Sequence, residues 1–366
     1  MRIGYLELFR PPPPTLSNLD GVPQDQGLAG ARLGVSDNQT TGKFLGHSYE
    51  LITNVVPEDG DILAAAKAML SKTPFVVVNA DAAVMQSIAD LPAAADAVLF
   101  NAGSRENALR SDGCRGNLLH TLPSRRMLAD ALAQFALKKN WKEWALVVGP
   151  QAGDRAFAAS LEVAARKFAL TIRARKDWNF DVDMRRSAAQ EFPLFVQDFP
   201  DHDLLLVADE YNDFARYVLY NTWLPRPVAG GAGMTAAAWN PAVEQHGAAQ
   251  LQSRFRDAAN RHMRPIDYAA WVAVRAVGEA ATRTQSDDPA TVLAFLLSDA
   301  FRLAAFKGRP VSFRNWNGQM RQPIPLAHPD AVVALAPLDG FLHHHNELDT
   351  LGLDAPESAC TAFGDQ

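Results

Sequence analysis

Residues 141–172, WKEWALVVGPQAGDRAFAASLEVAARKFALTI, hold a complete β-loop-α-β unit, and a series of such units already precedes it in the chain. Residues 144–148 are a short apolar run and residues 149–153 a loop bounded by glycines. Asp154 is then placed to cap a helix on which Phe157, Leu161 and Phe168 share one face. An apolar strand followed by an amphipathic helix builds a parallel sheet covered on both faces, with right-handed crossovers. A second series of such units predicts two α/β lobes with a cleft between them. Ligands of open α/β sheets bind beyond the carboxyl ends of the strands, so the loops that follow strands are where function is to be sought.

At 366 residues the chain exceeds the size at which one core usually keeps growing, and its 48% hydrophobic content supplies two cores. A net charge of -6, with no basic cluster interleaved with aromatics, excludes a nucleic-acid footprint. No apolar run approaches the ~20 residues that a membrane helix needs, so no membrane insertion is expected. Met1 leads directly into the strand-like residues 3–8 with no secretory signal between, so an exported protein of this sequence would be a mature form with an added Met. Cys114 and Cys360 are the only cysteines. An even, minimal count fits one disulfide in an oxidising compartment, and equally fits two unrelated free thiols.

In the first half, strands are expected at residues 3–8, 49–55, 75–79, 97–101 and 118–121, with helices at 26–37 and 61–70, the latter opened by Asp61. Ser124 can cap a helix carrying Leu128, Leu132 and Phe135, after which strands at 144–148, 170–174, 204–208 and 228–231 form the second series. Residues 241–305 read as helical, with two long helices covering a sheet already built. Short strands follow at 311–314, 323–326 and 332–335, with a hairpin turn at Asn315-Trp316-Asn317-Gly318. The tail after Pro337 is polar and irregular. The run Pro11 to Pro14 reads as a stiff surface loop, with a wall of the cleft as the alternative.

GARLGVSDNQTTGKFLGHSYELI at residues 30–52, with Gly30, Ala31, Asp37, Asn38, Gly42 and Gly46, resembles the helix, turn and strand of type I periplasmic solute-binding proteins of the leucine/isoleucine/valine-binding kind. HTLPSRRMLADALAQFALKKNWKEWALVV at 120–148 is similar to the segment by which that family crosses into its second lobe. VSFRNWNGQMRQPIPLAHP at 311–329 and APLDGFLHHHNELDTLGLDAPESAC at 336–360 resemble the branch associated with pyrroloquinoline quinone (PQQ)-dependent alcohol dehydrogenase systems. The resemblance implies an α/β fold of two Rossmann-like lobes with parallel central sheets and a three-segment hinge. It further implies a periplasmic, monomeric, non-enzymatic substrate-binding component of an ABC transporter, with a permease as partner and a Cys114–Cys360 disulfide. The first lobe is expected to comprise residues 1–121 and 249–327, and the second 122–248 and 328–345. A tail, 346–366, would be clipped to the first lobe, with hinge crossings near 120–124, 244–250 and 327–330.

Position after strand ends nominates Asn79, Ala80 and Asp81; Asn101, Ala102, Gly103 and Ser104; Gly149 and Gln151; Asp209, Glu210 and Tyr211; and Gly233, Met234 and Thr235 as the ligand-binding set. Asp81 stands where amino-acid binders of the family carry hydroxyls for a carboxylate. An aspartate there repels a carboxylate unless a cation intervenes, which disfavours an ordinary α-amino acid. The ligand is therefore expected to be a small molecule or a metal complex. Asp209 and Glu210 can hold a cation or an amine, or cap the next helix. The glycines at 230, 231 and 233 lack a dinucleotide fingerprint. His343, His344 and His345, with Glu347 and Asp349, read as a solvated tail with incidental metal affinity, because three adjacent histidines cannot all face one ion in regular structure. Trp178, Trp223, Trp239 and Trp316 can stack on a planar ligand, or pack in a core. No nucleophile elbow and no paired metal histidines are seen, so no catalytic residue, resident metal or cofactor is expected. Two rival readings keep the architecture. One is a sensor or accessory protein for a lanthanide, PQQ or an alcohol-oxidation product; the other is an enzyme that would have to work with Asp81, Asp209, Glu210 or His120.

Overall fold

The computed structural model describes residues 1–12, 21–178 and 184–364. Pro13 and Pro14 of the proline run lie outside the described residues. Five parallel strands, β1 (Arg2–Leu8), β2 (Glu50–Val56), β3 (Phe75–Asn79), β4 (Val98–Asn101) and β5 (Leu118–His120), form a first sheet in the order β2-β1-β3-β4-β5. Side chains alternate across it. Ile3, Tyr5, Val77 and Phe100 pack beneath α1 (Leu28–Gly42) and α9 (Pro265–Thr284). Leu6, Leu8, Val76 and Leu99 pack against α2 (Ile62–Leu70) and α3 (Ala82–Ala89) on the other face. Asp61 and Asp81 start these two helices as N-caps, accepting from Ala64 N at 2.9 Å and Val84 N at 3.0 Å.

The second lobe is built around β6 (Glu143–Val148), β7 (Thr171–Asp177), β8 (Leu204–Ala208) and β9 (Val228–Gly230), all parallel in the order β7-β6-β8-β9. The helices α4 (Arg125–Lys138) and α5 (Ala152–Lys167) cover one face, while α6 (Met184–Val196) and α7 (Ala215–Val218) lie on the other. Ser124 caps α4 through Met127 N. Asp154, expected as a cap, sits inside the first turn of α5, and Gln151 takes the cap position.

The helical stretch contains three helices rather than two, because α8 (Ala248–Ala259) and α10 (Pro289–Leu297) flank α9. The hairpin β11 (Ser312–Phe313) and β12 (Met320–Arg321) buries Phe313 and Met320 in the first lobe's core. Next, β13 (Ile324–His328) and β14 (Ala331–Ala336) join β10 (Thr235–Ala236) in a small antiparallel sheet on the second lobe. This moves two hinge crossings. Ala238, Trp239 and Val243 already belong to the first lobe's core, so the chain returns near Ala237 rather than at 244–250. Ile324 and Leu326 belong to the second lobe's core, so the last crossing lies near Gln322 and Pro323 rather than at 327–330. Large apolar side chains decided both, Trp239 by stacking on Tyr268 with ring centroids 5.0 Å apart.

Cys114 and Cys360 form a disulfide across a sequence separation of 246 residues. Replacing Cys360 by serine is expected to lower stability by roughly 2–4 kcal/mol through the freed unfolded chain. Denaturant unfolding with and without reductant checks this, since reductant should affect the native protein alone.

The tail is more than polar and irregular. Leu348, Leu351 and Leu353 are buried, and Asp349 is buried between Arg314 and Arg321, which corrects its reading as part of a solvated segment. His343 bonds to Asp354 at 3.0 Å. Among the described residues, no group of three or more His, Cys, Asp or Glu is arranged to hold a metal ion, and no helix is long and apolar enough to cross a membrane.

Candidate functional site in the interlobe crevice

In the first sheet the strand order reverses between β1 and β3, whose loops leave toward opposite faces and open a crevice at their carboxyl ends. Glu7 and Asn79 stand side by side there, register partners on β1 and β3. Glu7 is only 8% exposed. It accepts the Tyr5 hydroxyl at 2.6 Å, and that hydroxyl also meets Asn79 Nδ2 at 3.3 Å. Burial raises the Glu7 carboxyl above its ordinary value, against hydrogen bonds from Tyr5 and Asn79 that lower it. Glu7 was missed in the sequence because it ends an apolar strand run. The signal was there: a carboxylate at the carboxyl end of a strand buried on both faces needs a reason.

The second sheet reverses between β6 and β8. The loops that follow these two strands are stapled together by Asp154, which accepts Gln151 N at 3.0 Å and Glu210 N at 2.9 Å. Gly149 leaves room for that staple, since a Cβ there would sit 2.3 Å from Asp154 Oδ2. Glu210 receives a two-pronged bond from Arg125, at 2.9 and 2.8 Å. Contacts then pass between the lobes: Arg105 approaches Glu210 at 4.0 Å, Glu106 pairs with Arg125, and Asn107 Nδ2 donates to Ser160 at 3.0 Å. The loop after β4 and the loop after β8 therefore face each other across one crevice.

The nominated residues fall into two groups, at the crevice and inside the fold. Asn79, Asp81, Gly103, Gln151, Glu210 and Tyr211 keep some exposure at the strand ends. Asp81 is shared between capping α3 and pairing with Arg10 at 2.5 Å. Ala80 follows Asn79, and Gly103 packs on both, because a Cβ at Gly103 would lie 2.5 Å from Asn79 Oδ1 and 2.7 Å from Ala80 N. Asn101, Ala102 and Ser104 are withdrawn into the fold. Asn101 donates to Ser104 O and pairs with His120 Nδ1, while its Oδ1 accepts Gly103 N and Ser104 N, so its amide is fully used. Gly233, Met234 and Thr235 serve the main chain instead. Gly233 turns with φ 70°, Met234 is buried and exchanges bonds with Val228 and Gly230, and Thr235 bonds to Ala327 O. Trp178 and Trp239 are core residues, Trp316 lies between Arg314 and Arg321, and Trp223 is exposed.

Asp209 turns inward to accept Phe214 N and Ala215 N, both at 2.9 Å. Burial pushes its carboxyl from 3.8 up to about 6. The folded protein thus holds this proton more tightly than the unfolded chain. The sign follows: Asp209 costs nothing below about pH 4, and its destabilising ionisation grows to completion as pH rises through about 6. Asp209→Asn is accordingly expected to gain on the native protein by on the order of 2–3 kcal/mol at pH 7 and to match it near pH 4. Urea unfolding of both proteins across that range checks it.

No protein-family model matches the chain, and no curated protein matches it significantly. Solved structures do. The periplasmic ligand-binding protein of a branched-chain amino acid ABC transporter from Burkholderia xenovorans LB400 superposes with a TM-score of 0.76 over 99% of this chain and 100% of that one, at 15% identity. A periplasmic binding protein from Burkholderia mallei gives 0.68 over 99% of both chains, also at 15% identity. An ABC transporter solute-binding protein from R. palustris in complex with benzoate gives 0.65 over 98% and 99%, at 11% identity. The chain thus has the two-lobe fold of type I periplasmic binding proteins.

Proposed function

We propose that this protein is a periplasmic solute-binding component of an ABC transporter, capturing a small solute in the interlobe crevice and presenting the closed form to a permease. The observation that supports the reading is the contact of the loop after β4 with the second lobe, beside the switch point of each sheet. One switch point offers Glu7 with Tyr5 and Asn79, the other Glu210 held by Arg125 and approached by Arg105. Hinged lobes with polar groups on both walls bind a solute that bridges them and favours closure. The structural neighbours named above are binding proteins, which supports this reading over an enzyme.

The charges favour a solute rich in donors, such as an amine, a polyol or a cation complex. Glu7 is an acceptor when ionised, and Arg125 is already occupied by Glu106 and Glu210. The link to PQQ-dependent alcohol oxidation rests on the C-terminal strings at 311–329 and 336–360.

A thermal-shift screen of the metal-stripped protein against amines, polyols, alcohol-oxidation products, PQQ, calcium and lanthanide ions tests the reading. Saturable binding raises the midpoint by mass action. Glu7→Gln is expected to weaken the best binder about 10- to 100-fold, the worth of a hydrogen bond to a charged group. In the native protein, affinity should fall as pH drops through the raised Glu7 value. A binder indifferent to Glu7→Gln at every pH would count against the crevice as its site.

A further inference from the structure

Residues 346–360 touch both lobes at once. On the first-lobe side Arg314, fully buried, donates to Asp349 at 2.8 Å and to the carbonyls of Leu348, Leu351 and Leu353 at 3.1, 2.7 and 2.9 Å. Ser358 bonds to Arg110 O, Ala359 N to Ser111, and Cys360 is joined to Cys114. On the second-lobe side Asp130 accepts Gly352 N at 2.8 Å, and Lys167 reaches Asp130, Thr350 O and Gly352 O at 2.8, 3.2 and 3.2 Å. Gln134 adds a bond to Thr350 at 3.0 Å, and Leu351 enters the second lobe's core. Gly352 lies against Met127 and Ser124, at the first hinge crossing, where a Cβ would come within 2.6 Å of Met127 Cγ.

We propose that this segment is a fourth connection between the lobes, a strap that limits how far they swing apart. The same few residues are gripped from opposite sides. A rotation that carries Arg314 away from Asp130 must therefore break one grip or the other. The first-lobe grip is buried, charged and backed by the disulfide, and breaking such a pair is costly. The second-lobe grip depends on Lys167, whose side chain is 26% exposed, and is the one that yields. With the strap intact, the ligand-free protein samples a narrow range of opening, so a larger share of it stays close to the closed geometry.

Small-angle X-ray scattering of the oxidised, ligand-free full chain tests this without knowledge of the solute. Lys167→Met combined with Thr350→Val removes the exposed half of the second-lobe grip, and Asp130→Asn weakens the buried half. Both are expected to increase the radius of gyration and extend the pair-distance distribution, while circular dichroism and cooperative melting stay native. Should Asp130→Asn fail to fold, the double variant alone decides. Folded variants whose scattering superposes on that of the native protein would overturn the proposal, even if solute binding in the crevice is demonstrated.

Discussion

Gly30→Ala is expected to destabilise the protein by roughly 3–5 kcal/mol, although the same change in an exposed helix would stabilise it by about 1 kcal/mol. Helices α1 and α9 cross backbone to backbone at this point. A Cβ on Gly30 would lie 1.9 Å from the carbonyl oxygen of Asp267 and 2.6 Å from its carbon. These are main-chain atoms, so no rotamer change relieves the overlap and the helices must separate. Separation also pulls Gly27 N from Asp267 Oδ1, a 2.7 Å bond beside the crevice. Gly34, facing Val274 and Trp271, and Gly278, facing Asn38, continue the same close crossing. Overlap therefore outweighs helix propensity. Gly21, where a Cβ would meet nothing within 4 Å, is the control, and its replacement by alanine should leave the denaturant midpoint unchanged. Equal midpoints for both variants would refute the argument.

Arg314→Met should be comparably damaging, costing about 3–5 kcal/mol. The native guanidinium satisfies three carbonyls and one oxygen of Asp349 in a site closed to water. Methionine keeps much of the volume but strands those carbonyls. It also leaves Asp349 with Arg321 as its side-chain partner. Methionine does recover some apolar burial, yet stranded buried acceptors cost more than one side chain regains. Arg314→Lys should rescue little, because one ammonium cannot cover a fork of diverging acceptors. Chemical denaturation at pH 7 measures both variants. Loss of less than about 1 kcal/mol would mean that water replaces the guanidinium.

Much of the fold was legible because buried parallel strands are nearly continuous apolar runs. Residues 75–79 and 204–208 coincide with β3 and β8. The edge strand β7 was displaced, expected at 170–174 and found at Thr171–Asp177, because its alternating exposed residues carry no apolar run. The hinge was less legible, since whether Trp239 or Ile324 joins one core or the other is decided by three-dimensional packing rather than by local pattern. The tail misled for a related reason. Asp349 reads as solvated until Arg314 and Arg321, far away in sequence, close over it.

At the crevice, position after strand ends nominated Asn79, Gln151, Glu210 and Tyr211, which keep some exposure there, and equally Asn101, whose amide ties its own loop. Position in sequence cannot distinguish a side chain that faces the ligand from one that holds the loop. Glu7 shows the opposite error, a polar residue hidden in a strand pattern. The Arg125–Glu210 pair joins residues 85 apart and carried no local signal.

In the proposed binding mode one solute touches both walls of the crevice. Titration calorimetry of the best binder from the screen against the native protein, Glu7→Gln, Glu210→Gln and the double variant measures whether it does. Each single change should weaken binding at least about tenfold, with the double variant weaker than either. Binding of native strength to both single variants would place the solute elsewhere.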